Sequence, residues 1–319
     1  MPFDHRLTVV ICTRNRARSL RLTLETLEKA AATTKLKWEL LLIDNGSSDE
    51  TKDVSAHFGE RLPLRYMFES KTGLSYARNR AIAEARGEFI IFTDDDVNIS
   101  PGWLEAYESL LKRCPQVAFA GGKIIPCWEI QPPTWVIKYA ASWLNGVVVW
   151  YDGGEKEWLY DLSRDPFYGA NFGVSVKAIK EIGGFDIRLG RKDAGQLGAE
   201  EMQVEEALAK KGCLGVYLPD AVVYHRIESC RWRKKFILRS SMGHGRVRII
   251  RRKVPLNVFF KCFYKAGLLL RMLFSGLLFL SGQLLRCPRI WLPGLCFFGW
   301  AVGEWQEVGY RQQSLKRKA

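Results

Sequence analysis

The sequence predicts an α/β protein, with a mostly parallel, doubly wound sheet followed by a helical, apolar and basic C-terminal tail. Three observations carry this. Short β-branched runs alternate with helical stretches through the first 225 residues or so. Several of those runs end in polar loops with acidic or hydroxyl residues, and such sheets bind ligands at the carboxyl ends of their strands. Charge is also unevenly distributed. Of 48 Lys and Arg and 34 Asp and Glu, 20 and 3 respectively lie from Arg226 onward.

The elements follow in order. LTVVIC (7–12) reads as a strand, and a helix is expected from about Ser19 to Ala31. WELLLID (38–44) is a second strand that ends at Asp44 in the loop DNGSSDET. LRYMF (64–68) is a third. A Gly-containing loop then leads to an Ala-rich helix over 75–86, with Gly87 as its expected terminator. EFIIFT (88–93) is a fourth strand, Pro101 suits the first turn of a helix running to about Arg113, and VAFAGG (117–122) is a fifth strand. Residues 126–165 are dense in aromatics (Trp128, Trp135, Tyr139, Trp143, Trp150, Tyr151, Trp158, Tyr160). They read either as a wall that stacks on sugar faces or as a packed aromatic excursion. FYGANFGVSV (167–176) is a return strand, and 198–212 is a helix with an acidic start and a Lys pair near its end, matching the helix dipole. VYLPDAVVYH (216–225) closes the domain.

At 319 residues, 47% hydrophobic and 12% aromatic, the chain has room for one large domain plus an appendage, and a disordered protein is excluded. The eight cysteines form no CxxC pair and no zinc spacing, so reduced thiols of a cytosolic protein are expected. The first residues lack a charged segment followed by an apolar stretch, so no signal peptide is expected.

The most informative feature is the end of the fourth strand, where FIIFT empties into Asp94, Asp95 and Asp96. Adjacent carboxylates repel one another and are best tolerated where a cation compensates. Oxygen ligands at a strand end suit Mg²⁺ or Mn²⁺, which share their coordination with substrate phosphates. A solvated acidic turn is the alternative for the triplet alone.

With these pieces in order, residues 1–225 resemble the family 2 inverting, nucleotide-sugar-dependent glycosyltransferases with the GT-A fold. The matching stretches are VVICTRNR (9–16), LLLIDNGSSDET (41–51), GLSYARNRAIAEARGEFIIFTDDDV (73–97), GANFGVSVKAIKEIGGFD (169–186), GAEEMQVEEAL (198–208) and PDAVVYH (219–225). The resemblance implies roles. Thr13 and Asn15 line the nucleotide pocket, and Asp44 accepts a hydrogen bond from the base or ribose. Arg78 and Asn79 face the diphosphate. Asp94 and Asp96 form a D-x-D pair, with Asp96 the direct ligand of Mn²⁺ or Mg²⁺, Asp94 nearer the ribose, and Asp95 shaping the turn. His225 is either a metal or diphosphate contact or a structural histidine. Ala170 and Asn171 contact the sugar, and Gly183-Gly184 turn the backbone beneath it. The family's base is the aspartate of a Glu-Asp pair at the start of the late helix. This chain has Glu200-Glu201 there, so Glu201 is the base by alignment and Glu200 the alternative.

The resemblance thus implies a metal-dependent transferase that moves a sugar from a nucleotide donor, a UDP-sugar, to a glycan or lipid-linked acceptor in cell-surface polysaccharide synthesis. The alternatives are a sugar-nucleotidyltransferase, which would want a Gly-rich phosphate loop that TRNRARS lacks, and a non-catalytic protein that binds anionic lipid or nucleic acid.

From 226 to 253 cations crowd together (Arg231, Arg233, Lys234, Lys235, Arg239, Arg246, Arg248, Arg251, Arg252, Lys253). Interleaved apolar runs favour an anionic membrane surface over nucleic acid as partner. Lys261, Lys265 and Arg271 interrupt the apolar stretch 256–283 as a stripe on one side of a helix. The runs 272–285 and 290–303 would each reach about 21 Å, short of a hydrocarbon core of roughly 30 Å. A monotopic or re-entrant hairpin is therefore expected, with a span over about 266–285 and a snorkelling Arg271 as the alternative. The expected location is the cytoplasmic face of the inner membrane, with a catalytic domain over 1–225 and a membrane-associating region over 226–319.

Overall fold

Leu7, Val9, Val10 and Ile11 are solvent-free, and this run is the middle of strand β1 (His5–Thr13). The computed structural model describes residues 5–32, 34–191, 198–252 and 258–316. It divides into two compact units. The first comprises Met1–Trp128, Val149–Ile187 and Glu200–Ile227. The second comprises Glu129–Val148, Arg188–Ala199 and Glu228–Ala319. Compared with a single cut after residue 225, the second unit also takes in two inserts from within the first 225 residues.

In the first unit, β1 leads through α1 (Ala17–Ala31) to β2 (Trp38–Asp44), then through α2 (Thr51–Gly59) to β3 (Leu64–Phe68), and through α3 (Leu74–Glu84) to β4 (Gly87–Thr93). These strands pair in parallel in the order β3-β2-β1-β4. Every residue of β2 is buried, as expected of a parallel strand covered on both faces. Helix α2 lies in what reads as loop: its buried Val54 and Phe58 are too few for a visible apolar period. Gly87 does not cap α3, which ends at Glu84. A Cβ there would lie 2.7 Å from the Leu7 carbonyl carbon and the Thr8 nitrogen, so glycine lets β4 start against β1.

The second half of the sheet is mixed. After β5 (Val97–Ile99), α4 (Trp103–Arg113) and β6 (Phe119–Trp128), the chain leaves for α5 (Thr134–Ala140) and α6 (Asn145–Val148) of the second unit. It returns for β7 (Trp158–Leu159), β8 (Asn171–Ser175), α7 (Val176–Glu181), α8 (Glu200–Lys210) and β9 (Gly215–Ile227). Strand β8 runs antiparallel between β4 and β6, and β9 pairs parallel with β6 and antiparallel with β5 and β7. The β5–β9 ladder sets Val97 opposite His225. That register brings the end of the chain's last strand to the acidic turn after β4.

The aromatic stretch is mainly packing. Trp158 stacks on Tyr217 and Phe167, and Tyr151 meets Phe167 and Tyr168 edge-on. In the second unit Trp135 packs on Trp291, and Trp143 on Phe297 and Trp300.

The second unit also holds α9 (Lys234–Arg252), α10 (Val258–Leu284) and α11 (Pro288–Lys316). Lys253 and positions 256–257 of the expected basic and apolar runs lie outside the described residues. Two buried glutamates of α11 tie the helices together. Glu304 accepts from Arg271 of α10 at 2.6 Å, from Arg248 of α9 at 3.1 Å and from Tyr264, while Glu307 pairs with Arg246. Lys265 lies 4.8 Å from the Trp305 ring. Arg271 and Lys265 both reach residues of α11, with the Arg271 side chain keeping 47% exposure. Phe263–Leu284 is a continuous 22-residue helical stretch with mean hydropathy 1.5. At 1.5 Å per residue it reaches about 33 Å, so the length argument against crossing a membrane does not hold for α10.

Candidate active site

The acidic turn is built by its neighbours. Thr13, at the end of β1, donates its hydroxyl to Asp95 Oδ2 at 2.6 Å. Arg16, in the next loop, places Nε 2.9 Å from Asp95 Oδ1 and Nη2 2.9 Å from Asp96 Oδ2. Arg226 on β9 donates to the Asp95 carbonyl at 3.1 Å and to Val97 O at 2.7 Å, and the Arg226 N–H donates to Asp96 O. Burial pushes the Asp95 carboxyl above the ordinary range, against the opposing pull of Arg16. Asp95 anchors the turn to β1 and to Arg16. Neither arginine stands out in the sequence as a partner of the triplet. Arg16 is one cation among several in TRNRAR, and Arg226 reads as the first charge of the basic tail.

His225 Nε2 lies 3.3 Å from Asp96 Oδ1, with the histidine fully buried. Asp94 is half-buried and lies near enough to Cys12, Arg78 and Asp95 to bias their charges. Among the described residues no three His, Cys, Asp or Glu side chains form a group that could hold a metal ion. Of the expected metal-binding residues Asp94, Asp96 and His225, the structure brings Asp96 and His225 into contact. A carboxylate beside an imidazole still fits Mn²⁺ or Mg²⁺ when the remaining positions fall to phosphate oxygens and water.

At the end of β2, buried Asp44 accepts from the Tyr66 hydroxyl at 2.7 Å and from the Ser47 N–H at 2.8 Å. Burial first, and then this carboxylate, pushes the Tyr66 phenol up to about 12. Asn15, in left-handed conformation (φ 53°), accepts from the Ser48 N–H at 2.7 Å while its own N–H donates to Ser47 Oγ. It joins the loops after β1 and β2. Asn45, which the sequence did not single out, accepts from the Gly73 N–H and donates to the carbonyls of Glu69 and Lys71.

Arg78 is buried between the rings of Phe92 and Phe185. Its Nη1 lies 2.7 Å from Glu200 Oε1 and 2.6 Å from Glu201 Oε1. Gly169 makes room for this clasp: a Cβ there would sit 2.0 Å from both Arg78 Nη2 and Glu201 Oε1. The guanidinium expected on the diphosphate is thus committed to the two glutamates proposed as bases. Glu201 keeps 14% side-chain exposure against 2% for Glu200.

Two expected ligand contacts serve the frame. The Asn79 amide pairs with the backbone N–H and C=O of Phe185, both at 2.8 Å. Gly184 (φ 78°) admits it, because a Cβ there would lie 2.6 Å from Asn79 Oδ1. Asn171 is fully buried: Oδ1 accepts from Trp103 Nε1 and Tyr107 OH, and Nδ2 donates to the carbonyls of Lys123 and Ala221. Its side chain ties α4, β6, β8 and β9 together and has no donor left for a sugar. Ala170 is buried, and its carbonyl accepts from Thr93.

The first unit thus gathers a parallel sheet half, acidic and hydroxyl residues at its carboxyl ends, and a late helix that brings two glutamates to Arg78. The family model "Glycosyl transferase family 2" matches residues 8–182. The chain belongs to glycosyl transferase family 2. As a family 2 glycosyltransferase it is an enzyme, and its relatives transfer sugars. A glucosyl-dolichyl phosphate glucuronosyltransferase of Haloferax volcanii is 25% identical over 224 residues, 69% of this chain and 67% of that protein. A validoxylamine A glucosyltransferase of Streptomyces hygroscopicus is 37% identical over 103 residues, 31% of this chain but only 24% of that protein. In fold, the glycosyltransferase resembles a Pyrobaculum calidifontis mannosyltransferase solved with GDP-Man and Mn²⁺, with TM-score 0.54 and 20% identity over 79% of this chain and 68% of that one.

Proposed function

We propose that this glycosyltransferase moves a sugar with inversion from a nucleoside diphosphate donor, a UDP-sugar, to a lipid-linked or glycan acceptor at a membrane surface. The observation that carries it is the gathering in one unit of Asp44, the Asp94–Asp96 turn with His225, and the Glu200–Glu201 pair on Arg78. Asp44 and Thr13 hold the nucleoside, and Asp96 with His225 would hold Mn²⁺ or Mg²⁺. The bound ion supplies Lewis-acid neutralisation of the departing diphosphate.

Glu201 is the base. Its carboxylate is the more exposed of the pair, so it can take the proton as the acceptor oxygen bonds to the anomeric carbon and the bond from that carbon to the diphosphate breaks. Glu200, buried beneath, balances Arg78, and the guanidinium fixes both carboxylates. The dolichyl phosphate acceptor in the Haloferax relative's name supports a lipid-linked acceptor.

Helix α10 is the membrane-contacting element. Leu270, Leu273, Phe274 and Leu277 are each exposed by about two thirds, an apolar face too continuous for water. The basic α9 supplies charge for anionic headgroups on the cytoplasmic face. Release of nucleoside diphosphate from a panel of nucleotide sugars, with and without Mn²⁺, tests the proposal. Turnover of a UDP-sugar with Mn²⁺ supports it, and no turnover of any donor sinks it.

A further inference from the structure

The second unit contains a cavity of about 310 Å³. The aromatic insert forms one wall with Ser142, Trp143, Asn145 and Val147, α9 contributes Ser240, Ser241 and His244, and α11 contributes Cys296 and Trp300. Among the described residues that line it there is no carboxylate, lysine or arginine. Its titratable histidine is held neutral, because burial and then the nearby Arg191 and Arg248 push the His244 imidazole down.

Two features suit the cavity to a ligand with an apolar face and hydroxyl edges. The Trp143 and Trp300 indoles both line it, near-parallel at 28° with centroids 6.4 Å apart, and the Arg248 guanidinium lies 5.3 Å from the Trp300 centroid. Around them stand neutral hydroxyl, amide and imidazole groups, while the indole Nε1 of Trp300 is shielded from solvent and has no hydrogen-bond partner among the described residues. A buried donor in that state costs about 1–3 kcal/mol unless an acceptor arrives. Gly146 keeps the wall close, since a Cβ there would lie 3.1 Å from His244 Cε1.

We propose that this cavity is a second saccharide site, which takes one neutral pyranose unit against Trp143 and Trp300. A pyranose has the flat C–H face that stacks on indole and the hydroxyl oxygens that would accept from Trp300 Nε1 and exchange hydrogen bonds with Asn145, Ser240 and His244. That the pyranose belongs to the acceptor glycan rests on the transferase function proposed above. The site itself does not, because its residues belong to the second unit and the donor residues to the first.

The experiment uses the full chain in a sugar-free detergent. Methyl glucoside, methyl mannoside and methyl N-acetylglucosaminide are the probes, read by saturation-transfer NMR and tryptophan fluorescence. At least one glycoside binds with a Kd of roughly 1 mM. Asn145→Ala weakens it about fivefold, as loss of one hydrogen bond would, with the melting temperature and donor hydrolysis unchanged. Ser240→Val, which narrows the cavity from α9, gives the same fall if Asn145→Ala does not fold. Three results overturn the proposal: no binding of any glycoside, binding that both variants leave intact, or displacement of the glycoside by farnesol, which would mark the cavity as an isoprenoid site. Saccharide binding without turnover of any nucleotide sugar would uphold the site and defeat only the transferase proposal.

Discussion

Arg78 Nη1 stands 2.6 Å from Glu201 Oε1 and 2.7 Å from Glu200 Oε1, so one buried guanidinium sets the position of both glutamates. Removing it leaves two carboxylates in a poorly hydrated place, which costs about 3–5 kcal/mol. Arg78→Ala therefore loses about that much stability in urea titration. Gly169→Ala, which intrudes on both partners, lowers donor turnover at least tenfold with a smaller stability loss of about 1–3 kcal/mol. Turnover at the wild-type level in Gly169→Ala would show that the clasp does not position the base.

The two glutamates separate by substitution. Glu201→Gln lowers transfer by about 10²–10⁴ and leaves donor binding near wild type in calorimetry. Glu200→Gln, buried beneath, shows its main effect as lost stability. Reversed outcomes would make Glu200 the base.

Asn171 carries four side-chain hydrogen bonds among α4, β6, β8 and β9. Asn171→Ala strands two buried donors and two carbonyls, so we expect a loss of about 3 kcal/mol or more in urea titration. The Michaelis constant for the donor in the surviving folded fraction is expected to stay unchanged. A weakened donor constant with intact stability would return Asn171 to the sugar pocket.

Glu205 is a buried carboxyl that accepts from the Phe167 N–H, and desolvation raises its pKa well above the ordinary value. The folded state therefore holds this proton more tightly than the unfolded chain. Its contribution to stability is fully present below the unfolded pKa and is lost as pH rises toward the folded one. Glu205→Gln removes that slope, so the variant gains on wild type from pH 5 to pH 8 in melting temperature. Parallel pH profiles would mean that Glu205 is ionised in the fold.

Much of this was legible in the sequence because it is local. β2 and β3 begin and end where their apolar runs do, and the acidic turn follows β4 as FIIFTDDD implies. What escaped depends on partners distant in the chain. Asn171 and Asn79 sit in motifs that read as ligand-binding, yet their amides satisfy buried backbone and ring donors that no local pattern reveals. Arg16 and Arg226 look like any other cations until the β5–β9 register brings residue 225 to residue 97. Likewise, Arg271 appears to interrupt an apolar helix until its partner Glu304, 33 residues on, is known.

The most direct measurement is donor turnover in Asp96→Asn as Mn²⁺ is titrated. Wild-type protein should release nucleoside diphosphate in a Mn²⁺-dependent way. In Asp96→Asn release should fall by about 10² or more, as expected when a metal-ligand interaction is lost, while the melting temperature stays within a few degrees. Full turnover in Asp96→Asn, or wild-type turnover indifferent to Mn²⁺ and to chelator, would contradict a metal-dependent donor site at the end of β4.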